Sequence, residues 1–315
     1  MSPGIYVVAG KRTPFGKNGG LLREVLAEDL FATAATAALK ASDIAPDVID
    51  TVNIGQISSL SQHGMSGRHA ALKAGIPADR PVLSLNQMSG SAFSGIICSA
   101  QEILLEAAQI SLCGGMESLS SIPFLVRNIR YGVPSGTTPQ FEDQLRMSFF
   151  DTYCNMTLIE TVDVVAKKYS GANDGAAAVV LANEEALTTY NMKPLARLVG
   201  WSTLEVHPVM MGIASIPATQ ALLKTTGLSI DDIDLFEIHE TYAATAIIIA
   251  KELGVDHNKL NLNGGAISIG HPSGASGGRL LIHLTNELRR RGLKRGLTSI
   301  SLAGGQGISM IIEAV

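Results

Sequence analysis

Residues 263–277 read NGGAISIGHPSGASG: five glycines, one proline and a single ionisable side chain, His271. That composition makes a turn, not packing material. The turn runs into an amphipathic helical pattern over 275–291. An apolar, β-branched run over 297–302 follows and ends near Gly304-Gly305. The same succession stands earlier in the chain. Ser89-Gly90-Ser91 precedes a helical pattern over 90–108, an apolar strand over 109–113 and the pair Gly114-Gly115. Two related α/β halves are the simplest account. Turns common to all α/β proteins, without duplication, are the alternative.

Working outward, strands are expected at 5–9, 51–54, 82–86, 176–182, 195–199, 232–238 and 307–315. Helices are expected at 26–42, 157–169, 216–226 and 241–253. The alternation indicates an α/β fold. Pro134-Ser135-Gly136-Thr137-Thr138-Pro139 reads as a loop between the halves. At 315 residues, the chain has length for about two domains.

Composition excludes several classes. Hydrophobic residues make up 46 % and charged residues 17 %, a globular balance. A net charge of −4 gives no electrostatic reason to expect nucleic acid or an anionic membrane as partner. No apolar run is long enough to span a bilayer. The start, MSPGIYVVAGKRTP, lacks the basic and apolar segments of a secretory signal. Three cysteines without CxxC spacing form no disulfide framework and fit a reducing compartment. The run Arg289-Arg290-Arg291 reads as a solvated helix end whose cations offset the dipole. Trp201 reads as core or pocket wall.

Four glycine-flanked polar clusters remain. Asn86-Gln87-Met88-Ser89-Gly90-Ser91 places a small nucleophile at a helix N-terminus, where free N–H groups favour negative charge. Its bland reading is a plain N-cap serine. His239-Glu240 follows a strand, where α/β proteins bind ligands. His271 sits in a turn free of other charge and is a candidate base or oxyanion donor. Ser301-Leu302-Ala303-Gly304-Gly305-Gln306-Gly307 allows close backbone approach at a strand end.

Taken in this order, the clusters resemble the thiolase family over nearly the whole chain. Residues 7–16, VVAGKRTPFG, resemble its first strand and loop. Gly114-Gly115-Met116-Glu117-Ser118 resembles its GGMES block, and Asn173-Asp174-Gly175-Ala176 its NDGAAA block. Met211-Gly212 after Pro208 resembles another, and residues 263–277 are close to its most specific signature. Asn128, Arg130, Tyr131-Gly132 and residues 283–292 resemble most the mitochondrial type of 3-ketoacyl-CoA thiolase.

The resemblance implies two similar βαβαβαββ halves layered α-β-α-β-α. It divides the chain into an N-terminal half, 1–170, with a shortened loop domain at about 120–170, and a C-terminal half, 171–315. The shortening falls between Tyr169 and Asn173. It implies catalytic positions at Ser89, His271, Ser301 and His239, and substrate contacts at Gly305, Ser273, Met211 and Thr203. No metal or redox cofactor is implied, since coenzyme A arrives on the substrate. A homodimer or homotetramer is implied, as is a mitochondrial matrix location, with the cytoplasm as the alternative.

Ser89 and Ser301 stand where the family carries its two catalytic cysteines. A thiol titrates near pH 8.5, whereas an aliphatic hydroxyl stays protonated far above that. The expectation is severely impaired thiolysis and condensation, and weakened acyl-CoA binding through the shortened loop domain. A non-catalytic subunit or acyl-CoA binder and a Ser89–His271 acyl-CoA hydrolase are the alternatives.

Overall fold

A computed structural model describes residues 4–58, 64–158, 160 and 173–315. Most of the helical pattern expected at 157–169 lies outside them, as does the site of shortening. Within them, Met156–Thr157 is extended and pairs with Phe150–Asp151.

One side of the sheet holds strands β1 (Tyr6–Arg12), β2 (Thr51–Gly55), β3 (Val82–Leu85), β4 (Ile110–Ser118) and β5 (Asn173–Ala182), the last of which follows the expected division at 170 yet pairs with β1 and β4 of the first half. The C-terminal half supplies β6 (Ala196–Glu205), β7 (Leu235–Ile238), β8 (Arg295–Leu302) and β9 (Gln306–Ala314). They run side by side in the order β3-β2-β4-β5-β1-β6-β9-β8-β7 within a ten-stranded mixed sheet, whose tenth strand, Gly16–Lys17, pairs with β5. Read from each outer edge inward, the halves match. Parallel β3·β2·β4 is followed by antiparallel β4·β5·β1. In the other half, Leu260 bridges Phe236 in parallel, β7·β8 is parallel, and β8·β9·β6 is antiparallel. The halves join where β1 meets β6 in antiparallel register, Tyr6 opposite Arg197. The same order with the same strand senses, met twice, is the topology of a duplication.

Six helices complete the layers: α1 (Ala27–Ser42), α2 (Ser66–Lys73), α3 (Ser91–Leu104), α4 (Ser215–Thr226), α5 (Ala243–Leu253) and α6 (Ser276–Arg291). The period of two along β5 shows how they stack. Ala176, Ala178, Val180 and Ala182 face a core shared with α1 and α2. Ala177, Val179 and Leu181 face the central core, shared with Phe93 and Ile96 of α3 and Leu280, Leu281 and Leu284 of α6. On the far side, Ile308, Met310 and Ile312 of β9 face the same central core, and Ile311 faces the helices α4 and α5. The layers are therefore helix, sheet, helix, sheet, helix. Strands covered on both faces read as continuous apolar runs, which is why alternation was weak in the sequence. Among the described residues, no helix is long and apolar enough to cross a membrane.

Two expected boundaries move. The strand expected to stop at Cys113 continues through Gly114-Gly115 to Ser118. A Cβ on Gly115 would collide with the carbonyl oxygen of Gly274. That pair permits close approach to the 263–277 turn and does not end the strand. The strand expected to close at Gly200 runs on to Glu205, with a bulge between Leu198 and Gly200 absorbing the irregularity.

Candidate active site

Ser89 stands one residue before the Gly90 cap of α3. The preceding Met88 is held at φ +48°, a left-handed conformation that a long side chain rarely adopts. Its N–H bonds the Asn86 side-chain oxygen at 2.9 Å. This sharp reversal between β3 and α3 holds Ser89 at the helix N-terminus, where the dipole favours developing negative charge.

Across from it, the 263–277 turn delivers His271. Ser89 Oγ lies 3.0 Å from His271 Nε2. The other ring nitrogen, Nδ1, lies 2.6 Å from Ser276 Oγ. Ser276 donates its own hydroxyl proton to the Pro272 carbonyl at 3.1 Å, so its oxygen accepts from Nδ1–H. The Nε2 lone pair is thereby left facing the Ser89 hydroxyl. The chain of bonds is that of a nucleophile, a base and an orienting group, with a neutral serine as orienter in place of a carboxylate.

His271 is buried, and burial together with the Arg279 cation pushes its pKa down to about 3. It is neutral at physiological pH and a weak base. His239 packs against it, ring centroids 4.3 Å apart. Burial, then His271 and Arg279, also hold His239 well below the ordinary histidine range. Among the described residues neither ring nitrogen of His239 has a hydrogen-bond partner. A buried imidazole N–H without an acceptor is free for a substrate or water oxygen. The 263–277 turn is fixed from below by Glu117, whose carboxylate accepts from the N–H groups of Ile57, Ser58 and Gly274 at 3.0–3.1 Å.

Ser89 and His271 open onto a cavity of about 290 Å³, walled mainly by apolar side chains such as Leu119, Leu145, Phe149 and Leu158. Of the positions singled out in the sequence, Ser273 and Met211 also line it. The other four do not line it: His239 packs behind His271, and the remaining three sit elsewhere. Ser301 is buried and turns to Ser215, accepting from its N–H and donating to its hydroxyl, both at 3.0 Å. Gly305 lies in the β8–β9 turn at φ +79°, its carbonyl accepting from Val206 N–H at 2.7 Å. Thr203 lies in mid-β6 opposite Ile308. Trp201 packs against the central core. Sequence reading missed Ser276, Arg279, Ser215 and Glu117 as site-shaping residues. The only signal for Arg279 was an arginine on the face of α6 that its own periodicity buries.

Comparison with known proteins fixes the family. The N-terminal domain model of thiolase matches residues 5–170 and the C-terminal domain model matches residues 192–314. The chain belongs to the thiolase family. It is 34 % identical to human mitochondrial 3-ketoacyl-CoA thiolase, over 99 % of this chain and 98 % of that protein. Acetyl-CoA acetyltransferase of Chromobacterium violaceum is 30 % identical over 98 % of this chain and 99 % of that protein. The crystal structure of human mitochondrial 3-ketoacyl-CoA thiolase in complex with CoA superimposes with a TM-score of 0.95 at 35 % identity, covering 99 % and 98 % of the two chains. The human alignment runs over 390 positions and this thiolase has 315 residues, so at least 75 of those positions face gaps in it.

Proposed function

We propose that this thiolase-family acyltransferase takes an acyl-CoA at the Ser89–His271 site, and that thiolysis and Claisen condensation are severely impaired in it. The observation that carries the reading is a hydroxyl, not a thiol, placed 3.0 Å from a buried histidine whose pKa is pushed down to about 3. A thiol at that place would ionise with little help. A serine must hand its proton to His271 as it attacks, and the imidazolium so formed sits in a site that disfavours charge. Ser301 has no base within hydrogen-bond range to help it take an α-proton, only the Ser215 hydroxyl and N–H. The reaction requires no metal or redox cofactor of its own, since coenzyme A comes with the substrate.

The test is thiolysis of acetoacetyl-CoA by the native chain and by the Ser89→Cys/Ser301→Cys variant. The native chain should turn over far below the 1–1,000 s⁻¹ typical of enzymes. The variant should be at least 100-fold faster. Native turnover within the typical range, or no gain in the variant, overturns the proposal.

The Ser89–His271–Ser276 geometry favours a second reading, slow acyl-CoA hydrolysis. Ser89 Oγ attacks the thioester carbonyl and its proton passes to His271 Nε2. CoA leaves as the thiol with that proton, and water then cleaves the serine ester. Intact-mass spectrometry after incubation with acetyl-CoA should show an adduct of one acetyl group that is absent from Ser89→Ala. Absence of both adduct and hydrolysis removes this reading. The mitochondrial names of the relatives support a matrix location, and the family supports a homodimer or homotetramer. The positions this chain lacks beside its relatives support weakened CoA affinity.

A further inference from the structure

A second cavity, of about 410 Å³, lies between the end of β1, the 263–277 turn and one face of α6, and shares no lining residue with the Ser89 pocket. Its charged lining is one-sided. Lys11, Arg12 and Arg279 line it with the side chains of Asn263, His283 and Asn286, and no carboxylate does. Among the described residues, neither Lys11 nor Arg12 has an acidic partner. Arg12 donates instead to the Thr13 carbonyl at 3.1 Å and lies over the Phe15 ring. Arg279 is almost wholly buried. One terminal nitrogen is spent on Glu237 at 2.9 Å, while its Nε–H has no partner. Glu237 is also shared with His283 Nδ1 at 2.8 Å. Arg279 is thus matched by Glu237 and, without a direct bond, by the more distant charge of Glu240, while Arg12 acts against it more weakly. The charges of Lys11 and Arg12 have no ion-pair partner among the described residues. Cations held together around a cavity, with a buried guanidinium N–H unspent and the Asn286 amide on the rim, match the donor geometry of a tetrahedral oxyanion; the Asn263 amide is taken up by His283 Nε2 at 3.0 Å and by Glu287.

We propose that this cavity binds a phosphate group, with Lys11, Arg12 and Arg279 as its cationic ligands. The proposal does not depend on Ser89 being reactive. It rests on the charge and shape of the α6–β1 cavity.

Calorimetric titration of the full chain with inorganic phosphate at low ionic strength, against matched potassium chloride, tests it. Saturable one-site binding is expected, and Lys11→Gln/Arg12→Gln should weaken it at least 10-fold without changing the melting temperature. The exposed Lys40→Gln variant should bind as the native chain does. No saturable binding, or equal losses in the Lys11/Arg12 and Lys40 variants, overturns the site. Added CoA separates the sources of phosphate. Displacement assigns the site to a phosphate of CoA, and undisturbed binding assigns it to free phosphate or a separate phosphorylated compound.

Discussion

Two buried histidines and the buried carboxyl of Glu117 shape the acid response of this chain. His271 and His239 are both depressed from the ordinary value of 6.5, by burial first. Below pH 6.5 the unfolded chain takes up two protons that the folded chain refuses, so their contribution to stability is lost as pH falls. Glu117 is pushed by burial up to about 7 from 4.5, so between those values the folded chain holds a proton the unfolded chain releases. Between pH 6.5 and 4.5 the balance is about one proton in favour of unfolding. Stability should fall as pH falls there, on the order of 1 kcal/mol per pH unit. The lowered carboxylates Glu287 and Glu313 titrate below this window. His239→Asn should flatten the slope, as read by urea unfolding at stepped pH. A slope equal to that of the native chain would assign the acid response to other groups. At the same scale, Ser276→Ala removes the acceptor that fixes the His271 tautomer. It should cut formation of the Ser89 acetyl adduct by roughly 10-fold, less than the ~100-fold or more that positioned proton transfer contributes, because the base itself remains. Ser89 and His271 were singled out by their glycine-rich settings, which left a plain cap and a structural turn open, and were given roles only by the family resemblance; the structure brings the two side chains together. Ser276 and Arg279 were not singled out, because a serine and an arginine in a helix declare nothing until the fold shows what they touch.

At the scale of elements, glycines set the distances that assemble the site. Gly115 of β4 and Gly274 of the turn pack backbone to backbone, and Gly277 of α6 lies against Phe93 of α3. The central helices approach the strands closely enough to bring Ser89 and His271 within hydrogen-bond range only because these positions lack a Cβ. Gly115→Ala would drive a methyl into the Gly274 carbonyl and push the His271 turn away. It should destabilise the chain by about 3 kcal/mol, at the upper end of overpacking costs, and remove reactivity at Ser89. Gly64→Ala, whose methyl meets no atom of the described residues within 4 Å, should stay within about 0.5 kcal/mol of the native value by the same urea unfolding. Equal effects would deny the close approach its role. This is also where sequence reading of elements stopped short. Gly114-Gly115 and Gly200 look like strand ends, yet one lets a neighbouring backbone in and the other accommodates a bulge. Those roles are set by partners distant in sequence.

Over the whole molecule, the duplicated sheet leaves its two outer edges unlike. On the C-terminal side, β7 is flanked by the bridge to Leu260 and followed by α5. On the N-terminal side, among the described residues, β3 pairs with β2 alone, and Leu83 and Ser84 stand exposed on it. An open strand with an exposed leucine is a template for another strand, and proteins that stay monomeric blunt such edges with charge or proline. Residues 82–85, VLSL, carry neither. A second copy meeting this edge about a two-fold axis would pair β3 with β3 in antiparallel register and close the assembly at two, the commonest symmetry of soluble oligomers. Ser89 follows that strand by four residues, so pairing there would also brace the turn that carries it. The native chain should therefore sediment as a dimer or a multiple of it. Ser84→Pro, which removes an edge N–H and sets a fixed ring on the strand, should sediment as a monomer and lose affinity for acetyl-CoA in calorimetry. Leu83→Lys tests the same edge through charge and without a backbone constraint. A monomeric native chain, or dimers of undiminished strength in both variants, would place any self-association elsewhere on the molecule.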